Sequence, residues 1–344
     1  MPPMILFLSK SCDYIMPMTT KAPPIFAGQD MSLCLAHLSD PHLTSFDMPP
    51  WKELFNKRAL GYWAWRRKRR HVHRAEVLAT LVDDLRGAAP DHIAVTGDLT
   101  HLGTPAECRQ ALTWLQALGA PHDVSVVPGN HDAYAPAPWA GTVGLWRDYM
   151  HDEMRETMGD ATAPSDAPLV PRFPFVRYRG PVALIGVSTA IPTHWPLATG
   201  ALGDAQLVRL ERCLHRAGRE GRFRILLIHH PLQRNAVNWR KRLTDAPALR
   251  RVLARAGVEL VLHGHAHCRM DACLPTPHGQ AAVFGAPSAS LLPNDDVTKA
   301  AGYTLFRIAR QVDRWTLTAT HRSLSEAGRL HVCSSATWHW ASVP

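Results

Sequence analysis

No apolar run in this chain approaches the roughly 18 to 20 residues that a membrane-spanning helix needs, so no transmembrane segment is predicted. Cysteine is present without a pattern: there are seven cysteines, an odd number, and none belongs to a Cys-x-x-Cys pair. A disulfide framework is therefore not expected. The expected location is a reducing compartment, the cytoplasm. The apolar residues 1–8 have no basic stretch before them, so residues 1–30 are interpreted as a disordered leader, or as sequence upstream of the true start, and not as a signal peptide.

Acidic residues are in the minority, with 29 Asp and Glu against 38 Lys and Arg and a formal net charge of +9. The excess is concentrated in the run from Arg66 to Arg70, which follows the aromatic stretch Tyr-Trp-Ala-Trp, and in residues 234–242 around Trp239. Such patches favour anionic partners, namely nucleic acid, anionic lipid or a phosphorylated substrate. A solvated helix face would have the same composition, and both interpretations stay open at this point.

The 344 residues contain no internal repeat and no linker that would separate two cores. In the first half, apolar strands alternate with helical patterns, which indicates parallel pairing. The predicted strands there cover residues 33–38, 93–95 and 124–127, and the predicted helices cover residues 71–86 and 104–118, the second opened by the capping sequence Thr-Pro-Ala-Glu. Residues 135–174 are rich in Pro, Ala and Asp and predict a loop with one short helix over residues 146–158.

The second half continues with strands and helices in alternation. Strands are predicted over residues 182–187, 224–228 and 259–262, and helices over residues 204–217 and 245–256, each followed by a glycine (Gly218, Gly257) suited to a left-handed cap. Residues 281–284, 303–308 and 314–320 predict antiparallel strands. We therefore predict one α/β domain with two packed sheets.

Metal-ligand residue types stand where the predicted strands end. The five segments are Asp40-Pro41-His42, Gly97-Asp98, Gly129-Asn130-His131-Asp132, His229-His230-Pro231 and Gly264-His265-Ala266-His267. The carboxyl ends of strands in an α/β sheet converge on one crevice, so separate segments can deliver ligands to one place. The glycines before Asp98, Asn130 and His265 allow sharp turns and close backbone approach.

The chemistry of this set selects among metals. Carboxylate, imidazole and amide groups together suit two divalent ions of the Mn, Fe or Zn type better than Mg or Ca, which prefer oxygen ligands alone. Structural zinc usually takes four ligands with thiolates among them, and the five segments provide no thiolate ligand.

The ordered motifs Asp-x-His, Gly-Asp, Gly-Asn-His-Asp, His and Gly-His-x-His resemble those of the calcineurin-like metallophosphoesterase superfamily, over about residues 33–286. The opening His-Leu-Ser-Asp-Pro-His is similar to that of the cyclic-nucleotide phosphodiesterase branch. The resemblance implies a four-layer α/β/β/α sandwich of two mixed sheets in a single domain. On this basis residues 31–325 form the domain, with a basic-aromatic insert at 50–72, after the leader at 1–30 and before a C-terminal tail at 326–344.

The resemblance also implies a role for each motif residue. Two divalent metal ions are expected, the first held by Asp40, His42 and His267, the second by Asn130, His229 and His265, and both bridged by Asp98. His131 is expected as the catalytic residue facing the substrate phosphate outside the metals, with Asp132 as its orienting partner. His229 is chosen over the adjacent His230 because it directly follows a strand. His101 stands where many relatives carry an acid, and its role is open.

These roles imply a dinuclear-metal-dependent phosphoester hydrolase, most simply a phosphodiesterase in which a metal-bridging hydroxide attacks a nucleotide-type or other phosphorylated small molecule. The first alternative is a membrane-associated pyrophosphatase of a nucleotide-linked lipid precursor. Its basic-aromatic insert would contact an anionic surface through Arg66 to Arg70, peripherally at the inner membrane. The second alternative is a nuclease, although too little chain lies outside the core for a DNA-binding domain and nucleic acid is not an expected partner.

Overall fold

The computed structural model describes residues 31–43, 57–154, 173–292, 295–311 and 314–341. Within these residues twelve strands form two six-stranded sheets. The strands are β1 (Met31–Leu38), β2 (His92–Val95), β3 (Val124–Val126), β4 (Phe175–Arg179), β5 (Val182–Gly186), β6 (Phe223–Leu227), β7 (Leu260–His263), β8 (Met270–Thr276), β9 (Gly279–Gly285), β10 (Gly302–Arg310), β11 (Arg314–Leu324) and β12 (Leu330–Ala341). The leader at 1–30 lies outside the described residues.

The first sheet has the order β12-β11-β10-β1-β2-β3. β1, β2 and β3 are parallel, as their alternation with helices predicts, and β10, β11 and β12 add antiparallel strands beside β1. Residues 326–344, set apart as a tail from the sequence, instead supply β12 through Leu330–Ala341. The domain therefore extends at least to Ala341.

The second sheet has the order β4-β5-β6-β7-β9-β8. Its four inner strands are parallel, and β4 and β8 pair antiparallel at its edges. Residues 281–284 were predicted to form an antiparallel strand. This is correct for the pairing of β9 with β8 and wrong for its pairing with β7, which is parallel. The sequence did not predict β4 or β8.

Helices connect consecutive parallel strands of both sheets. They are α1 (Lys57–Ala64), which continues through a π-helical turn (Trp65–Arg69) into α2 (Arg70–Val72), then α3 (Ala75–Gly87), α4 (Pro105–Leu118), α5 (Asp204–Arg219) and α6 (Ala246–Ala256). Short 3-10 helices span Trp139–Gly141, Val143–Met150 and Trp239–Lys241. No helix among the described residues is long and apolar enough to cross a membrane.

Several helix boundaries differ from the predicted ones. The helix predicted from residue 71 begins at Ala75, and the one predicted over 146–158 is the 3-10 helix Val143–Met150, with residues 155–158 outside the described part. Gly218 lies inside α5 and caps nothing, whereas Gly257 has a φ of +81° and ends α6 as predicted. The capping box of α4 is present, since Thr104 and Glu107 each accept a hydrogen bond from the other's backbone N–H.

Two hydrophobic cores hold these layers together. The larger joins the facing sides of the two sheets and extends to the buried apolar faces of α3 and α4, while the smaller lies between the second sheet and helices α5 and α6. The order α/β/β/α confirms the expected sandwich. At one edge the carboxyl ends of β1, β2 and β3 meet those of β6 and β7, with His265 N–H donating to Oδ2 of Asp40 (3.0 Å) and Nδ1 of His229 donating to Thr96 O (2.7 Å).

Candidate metal centre

The candidate ligands sit on turns that directly follow strands. Asp40 and His42 follow β1, Asp98 follows β2, and His265 and His267 follow β7. All five have positive φ angles, between 40° and 66°. This left-handed conformation costs a residue with a side chain about 1–2 kcal/mol. Such strain persists only where the surrounding structure fixes it, and it clusters at functional sites.

Three glycines let these turns approach one another. Gly97 has a φ of +93°, and a Cβ atom there would lie 2.6 Å from the backbone nitrogen of Gly129. A Cβ atom on Gly129 would overlap the carboxylate of Asp98, and one on Gly264 would overlap that of Asp40. The expectation that these positions require glycine for close approach is confirmed.

A first group of side chains brings together Asp40, His42, Asp98 and His267, whose ligand atoms all lie within 4.8 Å of one another. Nε2 of His267 is 3.0 Å from Oδ1 of Asp40 and 3.2 Å from Nε2 of His42. Nε2 of His42 is 3.9 Å from Oδ2 of Asp98. Asp40, His42 and Asp98 are buried.

A second group contains Asp98 again, with His229 and His265. Nε2 of His229 lies 3.4 Å from Oδ2 of Asp98 and 3.1 Å from Oδ1 of Asn130. Asp98 is thus common to both groups, in the position expected of a bridging carboxylate. The structure brings together every residue that the sequence assigned to the two metals.

Backbone carbonyls fix the orientation of three of these imidazoles. Nδ1 of His42 donates to the carbonyl oxygen of Thr100 (3.1 Å), and Nδ1 of His229 donates to that of Thr96 (2.7 Å). Nε2 of His265 donates to the carbonyl oxygen of Lys241 (2.8 Å). The other nitrogen of each ring therefore points toward the groups described above, as in metal-ligating histidines.

The donor set fits divalent cations. Oδ1 of Asp40 is buried and accepts no hydrogen bond of good geometry from the described residues, although two imidazole nitrogens lie within 4.0 Å of it. Around His229, oxygens of Asp98 and Asn130 face the same ring nitrogen. Lone pairs that converge in a buried place need a shared cation or proton between them.

Burial and neighbouring imidazoles lower the pKa of His42 and of His265, whereas opposite charges dominate at two other candidate ligands. Burial disfavours the charged forms, yet the carboxylate of Asp98 raises the pKa of His229 to about 9. Burial likewise opposes ionisation of Asp40, but the neighbouring His267 overcomes it and lowers the pKa of that carboxyl. The negative potential that retains a proton on His229 would also attract a metal ion, which displaces such protons when it binds.

His131 lies beside these groups, with its ring centroid 5.0 Å from that of His42. Its Nδ1 donates to the carbonyl oxygen of His101 (2.6 Å), so the expectation that Asp132 orients it is wrong. Asp132 instead accepts hydrogen bonds from the backbone N–H groups of Asp98, Thr100 and Gly129, and holds those turns together. Position 101 thus orients His131 through its backbone, and the His101 ring stacks on His42 (4.9 Å).

The ring of His230 lies 4.3 Å from that of His265, but its nitrogens bond to other groups. Its Nδ1 is hydrogen-bonded to Oγ1 of Thr189 (2.7 Å), and its Nε2 donates to the carbonyl oxygen of Ala198 (3.2 Å). Both ring nitrogens are engaged there, which favours the choice of His229.

A cavity of about 300 Å³ opens onto these groups. Asp98, Asn130, His131, His265 and His267 line its inner side, and Val72, His73, Ala198 and Lys241 line the rest. The sequence did not single out His73, which is buried and has a ligand atom within 4.8 Å of those of His42 and His267. Its only sequence signal is the second histidine of the His-Val-His that follows the basic run, and none of the five strand-end motifs contains it.

Comparisons with known proteins agree with this arrangement. A family model described as calcineurin-like phosphoesterase matches residues 35–269. A protein of Mycobacterium tuberculosis (strain CDC 1551 / Oshkosh), named a cAMP/cGMP dual specificity phosphodiesterase, is 28% identical over 286 residues, which cover 80% of this chain and 73% of that protein.

Two solved structures show the same fold. A dimetal phosphatase from Danio rerio superposes with a TM-score of 0.52 at 12% identity, over 91% of this chain and 100% of that one. A purple acid phosphatase from yellow lupin superposes with a TM-score of 0.53 at 14% identity, over 91% of this chain and 55% of that one.

Proposed function

The chain belongs to the calcineurin-like phosphoesterase family, and we propose that it hydrolyses a phosphodiester bond in a nucleotide-type substrate. It is a metal-dependent phosphoesterase. The observation that carries the proposal is the position of Asp98, whose carboxylate belongs to both groups of candidate ligands. One carboxylate shared by two ligand groups is the arrangement of two-metal hydrolytic sites.

Asp40, His42 and His267 would hold one divalent ion, Asn130, His229 and His265 the other, and Asp98 would contact both. Manganese, iron and zinc suit this mixture of ligands. Ions bound there would supply Lewis acidity, which lowers the pKa of water and offsets the negative charge of the phosphate oxygens.

The chain's own residues would orient the substrate and move a proton. Nδ1 of His131 donates to the carbonyl oxygen of His101, and Nε2 would be the nitrogen that acts on the substrate. In its protonated form His131 would give that proton to the leaving-group oxygen as the phosphorus–oxygen bond breaks. Asp132 would keep Asp98 and the Gly129 turn in register through the hydrogen bonds that it accepts.

The cavity favours a small substrate. Its volume of about 300 Å³ suits a phosphate with one compact group rather than a long polymer, and Lys241 at its exposed side favours an anion. The phosphodiesterase name of the mycobacterial relative supports a nucleotide.

The test is hydrolysis of bis-p-nitrophenyl phosphate and of 3′,5′-cyclic nucleotides with added Mn²⁺. We expect Asp98→Ala and Asn130→Ala to abolish both activities, and Asp83→Ala, which removes an exposed carboxylate on α3, to change neither. Activity that survives in Asp98→Ala, or absence of activity with every divalent metal, would contradict the proposal. Single-stranded DNA in the same panel tests the nuclease alternative.

A second candidate is supported by the insert, namely a pyrophosphatase acting on a nucleotide-linked lipid at a membrane surface. Trp63 and Leu60 on α1 are 59% and 50% exposed, and the guanidinium of Arg67 stacks on the Trp63 ring at 4.5 Å. Exposed aromatic and basic side chains together suit an anionic interface. The side chains of residues 68–70 lie outside the described part.

Co-sedimentation with vesicles of anionic lipid separates the two candidates. Binding that is lost in Arg66→Glu/Arg67→Glu, together with hydrolysis of a nucleotide-diphosphate lipid, would favour the second. Equal amounts of wild type and double variant in the vesicle pellet would exclude it.

A further inference from the structure

We propose that His73, which directly follows the insert, is a substrate-binding residue that donates a hydrogen bond to a phosphate oxygen in the cavity. This inference rests on the proposed phosphoesterase site and deepens it. None of the five strand-end motifs contains His73, yet it is buried, lines the cavity and has a ligand-type nitrogen within 4.8 Å of those of His42 and His267. Its ring centroid lies 4.6 Å from that of His42 and 5.7 Å from that of His267.

The backbone around His73 is fastened to the rim of the centre. His73 pairs with Leu291 in a β-bridge, Arg74 N–H donates to Ser290 O (2.8 Å), and Leu292 N–H donates to Val72 O (2.9 Å). The segment that these bonds hold follows Ser288, whose hydroxyl donates to the backbone oxygen of Asp40 (2.7 Å). The placement of His73 is therefore coupled to that of a candidate ligand.

The preceding helix holds this segment from the other side. Arg58 of α1 is buried and donates to the carbonyl oxygens of Leu102 (2.9 Å) and Gly103 (2.8 Å), directly after His101. Trp65 is buried, with its ring 6.3 Å from that of His101. One face of the basic-aromatic insert thus packs on the catalytic turns and brings His73 to them.

A donor role follows from the number of ligands already present. Asp40, His42, Asp98 and His267 already offer four ligand atoms on the first-metal side, whereas His73 is grouped only with His42 and His267. Catalytic metal sites keep a position open for water or substrate, which a fifth protein ligand would help to close. A residue beside the open position would therefore contribute more to substrate binding by contacting the phosphate oxygen there than by binding the metal ion.

Hydrogen bonding of the His73 ring decides between a donor role and a ligand role. Nδ1 of His73 lies 2.9 Å from Oγ of Ser290 and 3.3 Å from Oγ of Ser288, whose own hydroxyl donates to the backbone oxygen of Asp40. If the Ser290 hydroxyl donates to Nδ1, then Nε2 carries the proton and can donate to an anion. The opposite tautomer would leave Nε2 as a lone pair, which suits a metal ligand instead. The two roles therefore differ in what the loss of His73 removes, phosphate affinity or metal affinity.

The experiment compares His73→Ala, His73→Gln and Ser290→Ala with wild type, and uses Arg74→Ala as a matched control, since Arg74 is the next residue but pairs outward with Glu76. The readouts are metal content by mass spectrometry, the affinity for inorganic phosphate by calorimetry and as a competitive inhibition constant, and kcat and KM for bis-p-nitrophenyl phosphate. Thermal melting verifies that each variant is folded.

We expect His73→Ala to keep the wild-type metal content and to raise KM and the phosphate inhibition constant about 10- to 100-fold, as for loss of a hydrogen bond to a charged group. His73→Gln, with an amide N–H near the position of Nε2, should recover part of the phosphate affinity. Ser290→Ala should weaken phosphate binding less than His73→Ala.

Loss of metal from a folded His73→Ala or His73→Gln protein would overturn the inference in favour of a ligand. The inference would be overturned in favour of a packing role by a different result. In that case His73→Gln and Ser290→Ala would bind phosphate as the wild type does, and His73→Ala would either bind it equally well or fail to fold. Phosphate binding measured by calorimetry does not depend on turnover, so failure of the phosphodiesterase proposal would remain distinguishable from failure of this one.

Discussion

At the scale of single residues, the candidate ligands combine backbone strain with close packing. Five of them have positive φ angles, and the turns that carry them touch at glycines with no room for a Cβ atom. The hydrogen bonds of Asp132 to three backbone N–H groups stabilise two of these turns. Burial raises the pKa of Asp132, the nearby Asp98 raises it further, and these hydrogen bonds oppose both effects.

Gly264→Ala tests this close approach. The new Cβ would overlap the Asp40 carboxylate, so we expect a loss of about 1–3 kcal/mol of stability and a weakened first-metal group. Gly141→Ala is the control, because a Cβ atom there has nothing within 4 Å. The measurements are melting temperature and metal content. Equal effects of the two substitutions would show that the contact at Gly264 does not constrain the site.

His131→Ala tests the proton donor. We expect kcat for a cyclic nucleotide, whose leaving group is an alkoxide, to fall about 10²- to 10⁴-fold with metal content unchanged. The fall for bis-p-nitrophenyl phosphate should be smaller, because p-nitrophenolate leaves without a proton. His215→Ala, which removes an exposed imidazole on α5, is the control. The same loss with both substrates would argue against proton donation by His131.

Sequence motifs identified all seven candidate ligands because each stands at the end of a strand, where geometry follows from local order. They gave the wrong partner for His131 and passed over His73. Both depend on which turns meet in space: the carbonyl oxygen of His101 reaches His131 across 30 residues, and His73 reaches the cavity only because the insert packs on residues 101–103.

At the scale of elements, an ion-pair cluster around Asp84 joins α3 to the first sheet. Asp84 accepts hydrogen bonds from Arg322 on β11 (2.7 Å from both Nε and Nη2) and from Tyr303 on β10 (2.6 Å). Arg322 lowers the pKa of the Asp84 carboxyl, against a smaller opposing effect of burial. The ion-pair cluster therefore depends on an ionised carboxylate.

The ion-pair cluster around Asp84 predicts a pH dependence of stability. Because the folded pKa of Asp84 lies below the unfolded value, its contribution is present above the unfolded pKa of about 3.9 and is lost as pH falls through the folded pKa. We expect the difference in melting temperature between wild type and Asp84→Asn to be largest near neutral pH and to shrink in acid. Asp83→Asn, at an exposed ion pair, should show little difference at any pH. A gap that stays constant in acid would contradict the role of ionised Asp84.

A buried ion pair fastens β6 to the start of β7. Glu259 accepts two side-chain hydrogen bonds from Arg224 (2.5 and 3.0 Å) and one from its backbone N–H (2.7 Å). Glu259→Ala leaves a buried guanidinium unpaired, so we expect the free energy of unfolding in urea to fall by about 3–5 kcal/mol. Glu211→Ala breaks a surface pair with Arg255 and should cost less than about 1 kcal/mol. Equal costs would mean that the Arg224 pair is solvated.

Most inner strands of the two sheets were predictable because they are buried along their length and mostly apolar, although β2 contains His92 and β6 contains Arg224. β8 and β12 were not, because they have no continuous apolar run. β8 alternates between exposed and half-buried residues, and most of β12 is exposed. Their positions follow from pairing with β9 and β11, which is information that a single strand does not contain.

At the scale of the whole molecule, the candidate centre connects the two sheets. Asp40, Asp98 and Asn130 follow strands of the first sheet, and His229, His265 and His267 follow strands of the second. Metal ions held by both sets would link the layers and stabilise the folded state, since they bind it in preference to the unfolded chain. The sequence predicted the sandwich and this convergence, but not that β9 joins the second sheet or that β12 completes the first.

The dinuclear centre is tested most directly by anomalous diffraction from crystals grown with Mn²⁺, measured on both sides of the manganese absorption edge. We expect two anomalous peaks, one bounded by Asp40, His42 and His267 and the other by Asn130, His229 and His265, with Asp98 adjoining both. A single peak, or peaks away from these side chains, would contradict it.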